Sequence, residues 1–390
     1  MDRRSFLKVS GVAGTGMLAG CLGDDEDNDE IVIGAIQPLS GPFGPWGQVH
    51  QDGVEFAIEQ INDEGGVLDR DLVLESNDTG SDPSDADSFF REFVEQDDAV
   101  AVTGPVSSDV GIRTSDTAQE LQTPMFLHMS GDDGVISEER QYTYRVGLLP
   151  ASNTMIAQNQ LIQERGFENV GAVIADYAWG RAIEAAIEEY VDVDVQIEVA
   201  PQGADDFRSN LRNLDEDIDL LLATGHPPGN FSITSQAFDV GLEPEAVTGS
   251  GFPPGVIRDA LGDLSEDVYL HYHMSDYTSN EYIEVAEAFS DEMGEPFHTH
   301  HSYGYVTVRL IADALEEAGE ATSEALQETL QDSEFDTLYP EPLSYTNFGE
   351  PEGQVHIYSE FTSDPADYAP DEDWGLNEVF RSDPLPAREL

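Results

Sequence analysis

The chain has 390 residues, more than one ordinary core needs, and its length suits two domains. Its 80 acidic residues against 16 basic ones leave a net charge of -64, a field that repels nucleic acid phosphates and anionic lipid headgroups. A charge this high goes with disorder where apolar periodicity is missing. Here the periodicity is regular, so the composition describes a folded protein from a very salty medium, where the Debye length shrinks to ~3 Å at about 1 M.

The start of the chain is an export signal. Asp2-Arg3-Arg4-Ser5-Phe6-Leu7-Lys8 carries an Arg-Arg pair of the twin-arginine kind, and it contains the only lysine of the chain. The apolar stretch 9–19 is too short and too rich in Gly to span a bilayer. Leu18-Ala19-Gly20-Cys21 has the form of the box at which a lipoprotein signal is cut and its cysteine lipidated. The competing reading is a chance small-residue cleavage site beside an incidental Cys. Cys21 is the single cysteine, which rules out an internal disulfide. Residues 1–21 are therefore expected to be a signal, and the acidic run in 22–30 a flexible tether.

Residues 31–36 form an apolar run of the kind shown by a strand buried on both faces. A loop dense in Gly and Pro follows over 40–47 and carries Trp46 near its end. Val54, Ala57, Ile58 and Ile61 then fall on one helical face, Gly65-Gly66 stops that helix, and 71–75 reads as the next strand. The loop thus lies at the carboxyl end of the first strand, where open α/β sheets bind ligands.

The alternation continues. Asp82-Pro83 opens a helix with a capping carboxylate and Pro in the first turn, and Ala86, Phe89, Phe90 and Phe93 mark its buried face. A strand over 99–103 leads through Gly104-Pro105-Val106-Ser107-Ser108 into a helix bearing Val110, Thr114, Thr117 and Leu121. A strand over 124–128 ends in the turn Ser130-Gly131-Asp132-Asp133-Gly134. The pattern restarts near Leu149: a helix to Arg165, a strand over 170–175, a loop with Tyr177 and Trp179, a half-exposed strand over 193–199, and a buried one over 220–224 that ends at Gly225-His226-Pro227-Pro228-Gly229. Residues 246–248 and 268–272 read as the last strands of this set. Helices over 281–292, 303–318 and 323–331 follow, then turns and short alternating runs to Phe361 and an acidic tail that is hard to read.

Pro38-Leu39-Ser40-Gly41-Pro42, Trp46-Gly47, Ala57-Ile58-Glu59-Gln60-Ile61-Asn62 and Gly65-Gly66-Val67-Leu68, in this order, resemble the amino-terminal signature of a known receptor family. They are similar to the substrate-binding proteins of branched-chain amino acid ABC transporters, the leucine/isoleucine/valine type; the acidity makes this a haloarchaeal-like member. The resemblance continues more thinly to about Phe361. It implies an α/β periplasmic binding protein type I fold, in which two similar parallel-sheet lobes are joined by a three-strand hinge. Lobe 1 would take 31–148, with 277–335 returning to it, and lobe 2 would take 149–276, with 336–390 crossing back. Ligand would bind in the cleft between lobes that close by hinge motion.

Each candidate site residue has a reading of its own beside the one implied by the resemblance. Ser107 and Ser108 stand where a strand ends and a helix begins, so they are either an ordinary Ser cap or an anion site built from free N–H groups and the positive dipole end. The resemblance places the ligand carboxylate there. It places the ligand amino group at Ser130 and Asp132, where Asp132 would supply a charge-assisted acceptor or is simply one more acid. Trp46 and Trp179 take positions at which the family usually carries Tyr facing the cleft; the alternative is packing on their own domain. His226 matches a further cleft aromatic. Ser250 stands where the family carries a carboxylate that pairs the ligand ammonium, a departure that opens the way to a ligand other than an α-amino acid.

The His298-Thr299-His300-His301 run reads as a solvated helix start in preference to a metal site. Gly249-Ser250-Gly251 lacks the spacing of a nucleophile elbow, and a Walker-type Gly-Lys is absent. The expectation is therefore binding without catalysis, cofactor or metal. The protein is expected to be an exported receptor, anchored through lipid on Cys21, that hands a small solute to ABC permease subunits and binds no nucleic acid. A branched-chain or similar amino acid is the first candidate ligand; a short amide, a urea-like compound or a carboxylate is the alternative. An exported hydrolase and a sensor ectodomain are the rivals from other classes.

Overall fold

A computed structural model describes residues 30–249, 251–366, 368–369 and 372–388; the leader with Cys21 and the residue Ser250 lie outside the described residues. The first lobe is built from β1 (Glu30–Ala35), α1 (Gly44–Glu64), β2 (Asp71–Ser76), α2 (Pro83–Glu95), β3 (Ala101–Thr103), α3 (Ser108–Leu121), β4 (Met125–Leu127) and β5 (Thr143–Arg145). The strands pair in parallel in the order β2-β1-β3-β4-β5. The order reverses between β1 and β3, so the loops after these two strands flank the crevice of a doubly wound sheet.

Local chemistry accounts for these elements. Val54, Ala57, Ile58 and Ile61 of α1 are all buried, and the helix ends at Gly65, whose φ of 117° suits a residue without a Cβ. Asp82 caps α2 by accepting the N–H groups of Ser84 and Asp85 at 2.8 and 3.1 Å. Strand β5 was not foreseen: three residues are too few to show a period.

The second lobe comprises α4 (Ala151–Arg165), β6 (Val170–Ala175), α5 (Ala178–Tyr190), β7 (Val195–Ala200), α6 (Arg208–Leu211), β8 (Leu220–Thr224), α7 (Gly229–Asp239), β9 (Ala246–Gly249), α8 (Pro254–Leu261) and α9 (Asp263–Val268). Its parallel sheet runs β7-β6-β8-β9, again with a reversal, here between β6 and β8. Strand β10 (Leu270–His273) departs from the expectation that it closes this sheet. A single bridge, Val247 to Tyr269, ties it to β9, and it then pairs antiparallel with β11 (Ile357–Thr362), which pairs with β12 (Gly375–Arg381). The tail that resists reading in the sequence thus supplies an edge strand, and the three-stranded sheet forms where the chain passes between lobes.

Helices α10 (Asn280–Met293), α11 (His301–Ala318) and α12 (Ser323–Asp332) lie between β10 and β11. Helix α11 packs on α1 of the first lobe at backbone contact. A Cβ on Gly53 would run into the carbonyl oxygen of His301, and one on Gly304 into that of His50, so these two glycines set how closely the helices approach. Arg309 then reaches Glu64 at 2.8 Å and the Tyr305 hydroxyl donates to Gln60 at 3.1 Å. Among the described residues, no helix is long and apolar enough to cross a membrane.

The His298–His301 run is not solvated, contrary to expectation. Eight of the nine histidines are buried, most of them around the junction of β10, α11 and the first lobe. His128 meets Gln37 at 3.0 Å and Thr103 at 2.7 Å, His271 meets Thr299 at 3.1 Å, and His273 meets Ser359 at 3.2 Å. Short polar neighbours that satisfy one ring nitrogen each let an imidazole replace a core aromatic, provided it stays neutral. Sequence spacing does not reveal such partners.

Candidate functional site

The cleft is lined by the segments that follow β1, β3, β4 and β5 in the first lobe and β6 and β8 in the second. Phe43, Trp46, Val106, Ser107, Ser108, Met129 and Leu148 face Tyr177, Trp179 and Pro227 around a cavity of about 30 Å³, room for about two water molecules. Of the predicted site residues, Trp46, Ser107, Ser108 and Trp179 meet here. Phe43, Val106, Met129, Leu148, Tyr177 and Pro227 join them without having been singled out as site residues. For Phe43 and Tyr177 the signal was available, since each is an aromatic residue within three positions of a chosen Trp.

Both tryptophans sit in first turns of helices and not on loops: Trp46 near the start of α1, Trp179 near the start of α5. The rigid backbone aims each ring across the cleft. The Trp46 indole N–H donates to the carbonyl of Gly251 at 2.6 Å, and the ring stacks on Phe252 at 3.8 Å. The Trp179 ring lies flat enough against Gly131 that a Cβ there would strike it. The two lobes are therefore held together by one indole from each side. A solute larger than the cavity enters only when these contacts part.

The polar pole is the start of α3. Ser107 is its N-cap residue yet makes no side-chain capping bond, and it is only 6% exposed. Its hydroxyl is thus available to the cavity beside the amino end of a 14-residue helix. Ser108, 3% exposed, accepts the N–H of Asp132 at 3.1 Å and so ties the next loop to the same wall.

Ser130 and Asp132 have other tasks. The Ser130 hydroxyl donates toward the carbonyls of Pro105 and Ser107 at 3.1 and 3.0 Å, which braces the loop before α3 from behind. The Asp132 carboxylate accepts the N–H of Gly134 at 2.7 Å and caps a single 3₁₀ turn. Burial raises its pKa, against the lowering effect of that bond, so it is a poorer counter-ion for an ammonium than a free carboxylate. His226 lies half-buried at the mouth, edge-on to Phe43 at 5.2 Å and to Tyr177 at 5.1 Å; desolvation lowers its pKa.

Behind this wall Arg145 and Glu350, each 1% exposed at the side chain, pair at 2.8 Å. The guanidinium also donates to the carbonyls of Ser130 and Asp132. It fixes the 130–132 loop and adds positive charge beneath the α3 terminus. Outside the cleft, Asp52, Glu295 and His301 bring potential ligand atoms within 4.8 Å. His301 Nδ1 accepts the N–H of His298 at 2.8 Å, which leaves the proton on Nε2, the nitrogen that would have to bind a cation.

Two doubly wound lobes, a three-stranded sheet and an aromatic cleft with a helix amino end at one side have the form of a hinged solute receptor. Residues 30–359 match the family described as periplasmic binding protein, and the chain belongs to that family. It is 23% identical over 297 residues to a Leu/Ile/Val-binding protein, BraC3, of Rhizobium johnstonii, a match covering 75% of this chain and 80% of the relative. In fold it is similar to a periplasmic binding protein from Burkholderia mallei, with a TM-score of 0.79 and 17% identity over 91% of this chain and 95% of the other. It is likewise similar to a solute-binding protein of an ABC transporter from R. palustris in complex with benzoate, with a TM-score of 0.77 and 17% identity over 92% and 98%.

Proposed function

We propose that this protein captures a small solute bearing a carboxylate and an apolar body between its lobes and delivers it to the permease of an ABC importer. An apolar amino acid of the leucine type is the reference ligand, from the relative; a carboxylate of similar size is the alternative, from the benzoate-bound neighbour. The observation that carries the reading is the uncapped Ser107 hydroxyl facing an aromatic cavity at the start of α3. Acyl oxygens find donors there and apolar groups find rings. The protein performs no catalysis in this reading.

Binding is checked by intrinsic fluorescence in molar salt, since Trp46 and Trp179 both line the cavity. Ser107→Ala is expected to weaken a carboxylate ligand by about 1–3 kcal/mol, the range for a lost charge-assisted hydrogen bond. Unchanged affinity would remove the carboxylate from α3.

The finer localisation belongs to the same proposal. The family is exported; here the twin-arginine leader and the Leu18–Cys21 box support export followed by lipid attachment at Cys21. Acidity on this scale supports a salt-adapted surface. Mass spectrometry of the mature protein is expected to find Cys21 at the amino terminus, carrying lipid. A Cys21→Ser protein is expected to leave the membrane fraction for the soluble one, and equal retention on membranes would refute the anchor.

A further inference from the structure

The cleft walls differ in kind from the rest of the molecule. Acidic residues number 80 in the chain, yet among the described residues none lines the cavity, whose polar groups are the two serine hydroxyls, the phenol of Tyr177 and the indole N–H groups of Trp46 and Trp179. Two of the acids nearest the anion pole are engaged by backbone N–H groups. Asp132 accepts from Gly134 at 2.7 Å, and Asp133 accepts from Ser152 at 3.2 Å, at the start of α4. Asp109, in the first turn of α3, is exposed and does not line the cavity.

The carbonyls at the walls are also engaged. Those of Pro105 and Ser107 take the Ser130 hydroxyl, those of Ser130 and Asp132 take Arg145, and that of Gly251 takes the Trp46 indole. An ammonium placed here would meet ring faces, whose cation–π attraction is small beside the cost of desolvating a charge, and the positive end of a helix, and would lose its water shell without an anionic partner lining the cavity. A carboxylate meets the Ser107 hydroxyl and the same positive end. Its body meets Phe43, Trp46, Tyr177 and Trp179, whose flat faces suit an aromatic or branched apolar group.

From this asymmetry we infer that the ligand is an apolar or aromatic monocarboxylate without an α-ammonium group. The inference rests on the receptor function proposed above and narrows its ligand class. Selectivity against amino acids comes from the cost of desolvating an ammonium that finds no counter-ion.

The test titrates the full-length mature protein, in molar salt, with matched pairs: 4-methylpentanoate against leucine, 3-phenylpropanoate against phenylalanine, and benzoate against benzamide. Each carboxylate without an amino group is expected to bind at least about tenfold tighter than its amino acid, as a buried unpaired charge requires, and benzoate at least about tenfold tighter than benzamide, which lacks the charge-assisted bonds. Ser107→Ala is expected to lower benzoate affinity more than benzamide affinity, since only the carboxylate makes a charge-assisted bond there. Leucine binding as tightly as 4-methylpentanoate overturns this inference while the receptor function stands. If neither the carboxylates nor the amino acids bind, the receptor function assigned to this cleft falls with it.

Discussion

Lowering the pH from about 7 to about 5 in molar salt is expected to remove most of the folding stability of this protein. The cause is the set of buried histidines. Desolvation lowers the pKa of His128, His271 and His356 to about 3 and that of His298 to about 4. It also lowers those of His50, His273, His300 and His301, where neighbouring histidines act in the same direction, except for one opposing backbone bond each at His273 and His301. An unfolded histidine titrates near about 6.5. Between that value and the folded pKa the unfolded chain binds more protons, so stability falls as the pH falls.

Each such group costs about 1.4 kcal/mol per pH unit, hence about 2 kcal/mol at pH 5 and about 8 kcal/mol for the four with assigned values. Native domains commonly hold about 5–15 kcal/mol in all. Four acids, Asp52, Asp132, Glu292 and Asp313, have raised pKa values and oppose the trend. Burial, with Glu295 and Glu55 adding to it, raises Asp52 to about 6, so its contribution is present at low pH and lost as the pH rises through that value. Burial acts in the same direction on the other three, but none of the four acids is buried as fully as the histidines, and they do not offset eight rings. Withdrawing salt should lower the whole curve by lengthening the Debye length without moving the pH at which the fall begins. Melting temperatures by circular dichroism across this range provide the check, and a value unchanged down to pH 5 would refute the histidine account.

Arg145→Met is expected to cost about 3–5 kcal/mol, the range for removing one partner of a buried ion pair. Glu350 would keep only Arg388, whose Nε lies 3.2 Å from its other oxygen, and the carbonyls of Ser130 and Asp132 would lose their donor. Glu350→Gln keeps an acceptor for the guanidinium and should cost less. The measurement is the urea midpoint at fixed salt, with an unchanged slope marking a change in stability alone. The loss should extend to binding, because the loop that Arg145 holds is tied through Ser108 to the cleft wall. A loss below about 1 kcal/mol, the size of an exposed pair, would show that the pair is not needed to hold this wall.

The alternation of strands and helices was legible because its causes are local. Apolar residues spaced along α1, the Asp82 carboxylate before α2 and the stops at Gly65 and Gly166 each act within a few residues, and the elements that spacing placed stand within a few positions of it, whereas β5, α6 to α9 and β12 were not placed. Ser107 and Ser108 were legible for the same reason: a strand-to-helix junction marks a helix start. Residue spacing therefore gave the alternating α/β elements in two sets and the acidity of the chain, and the family resemblance supplied the two-lobed plan with its crossings.

Tertiary structure decided the rest, because the partners lie far apart in the chain. Trp46 finds Gly251, and Arg145 finds Glu350, each across 205 positions. Asp132 and Ser130 look like ligand residues in sequence, but backbone groups that only the folded loop presents take up their polar atoms. Strand β10 reads as a continuation of the second sheet, yet its antiparallel partner β11 draws it into the three-stranded sheet, which β12 from the tail completes. The histidines of 298–301 are polar in any sequence scale; whether they meet water or Thr, Ser and aromatic rings depends on α11 lying against α1 at Gly53 and Gly304. Burial is set by the packing of whole elements, and residue spacing reports only the face on which a side chain stands.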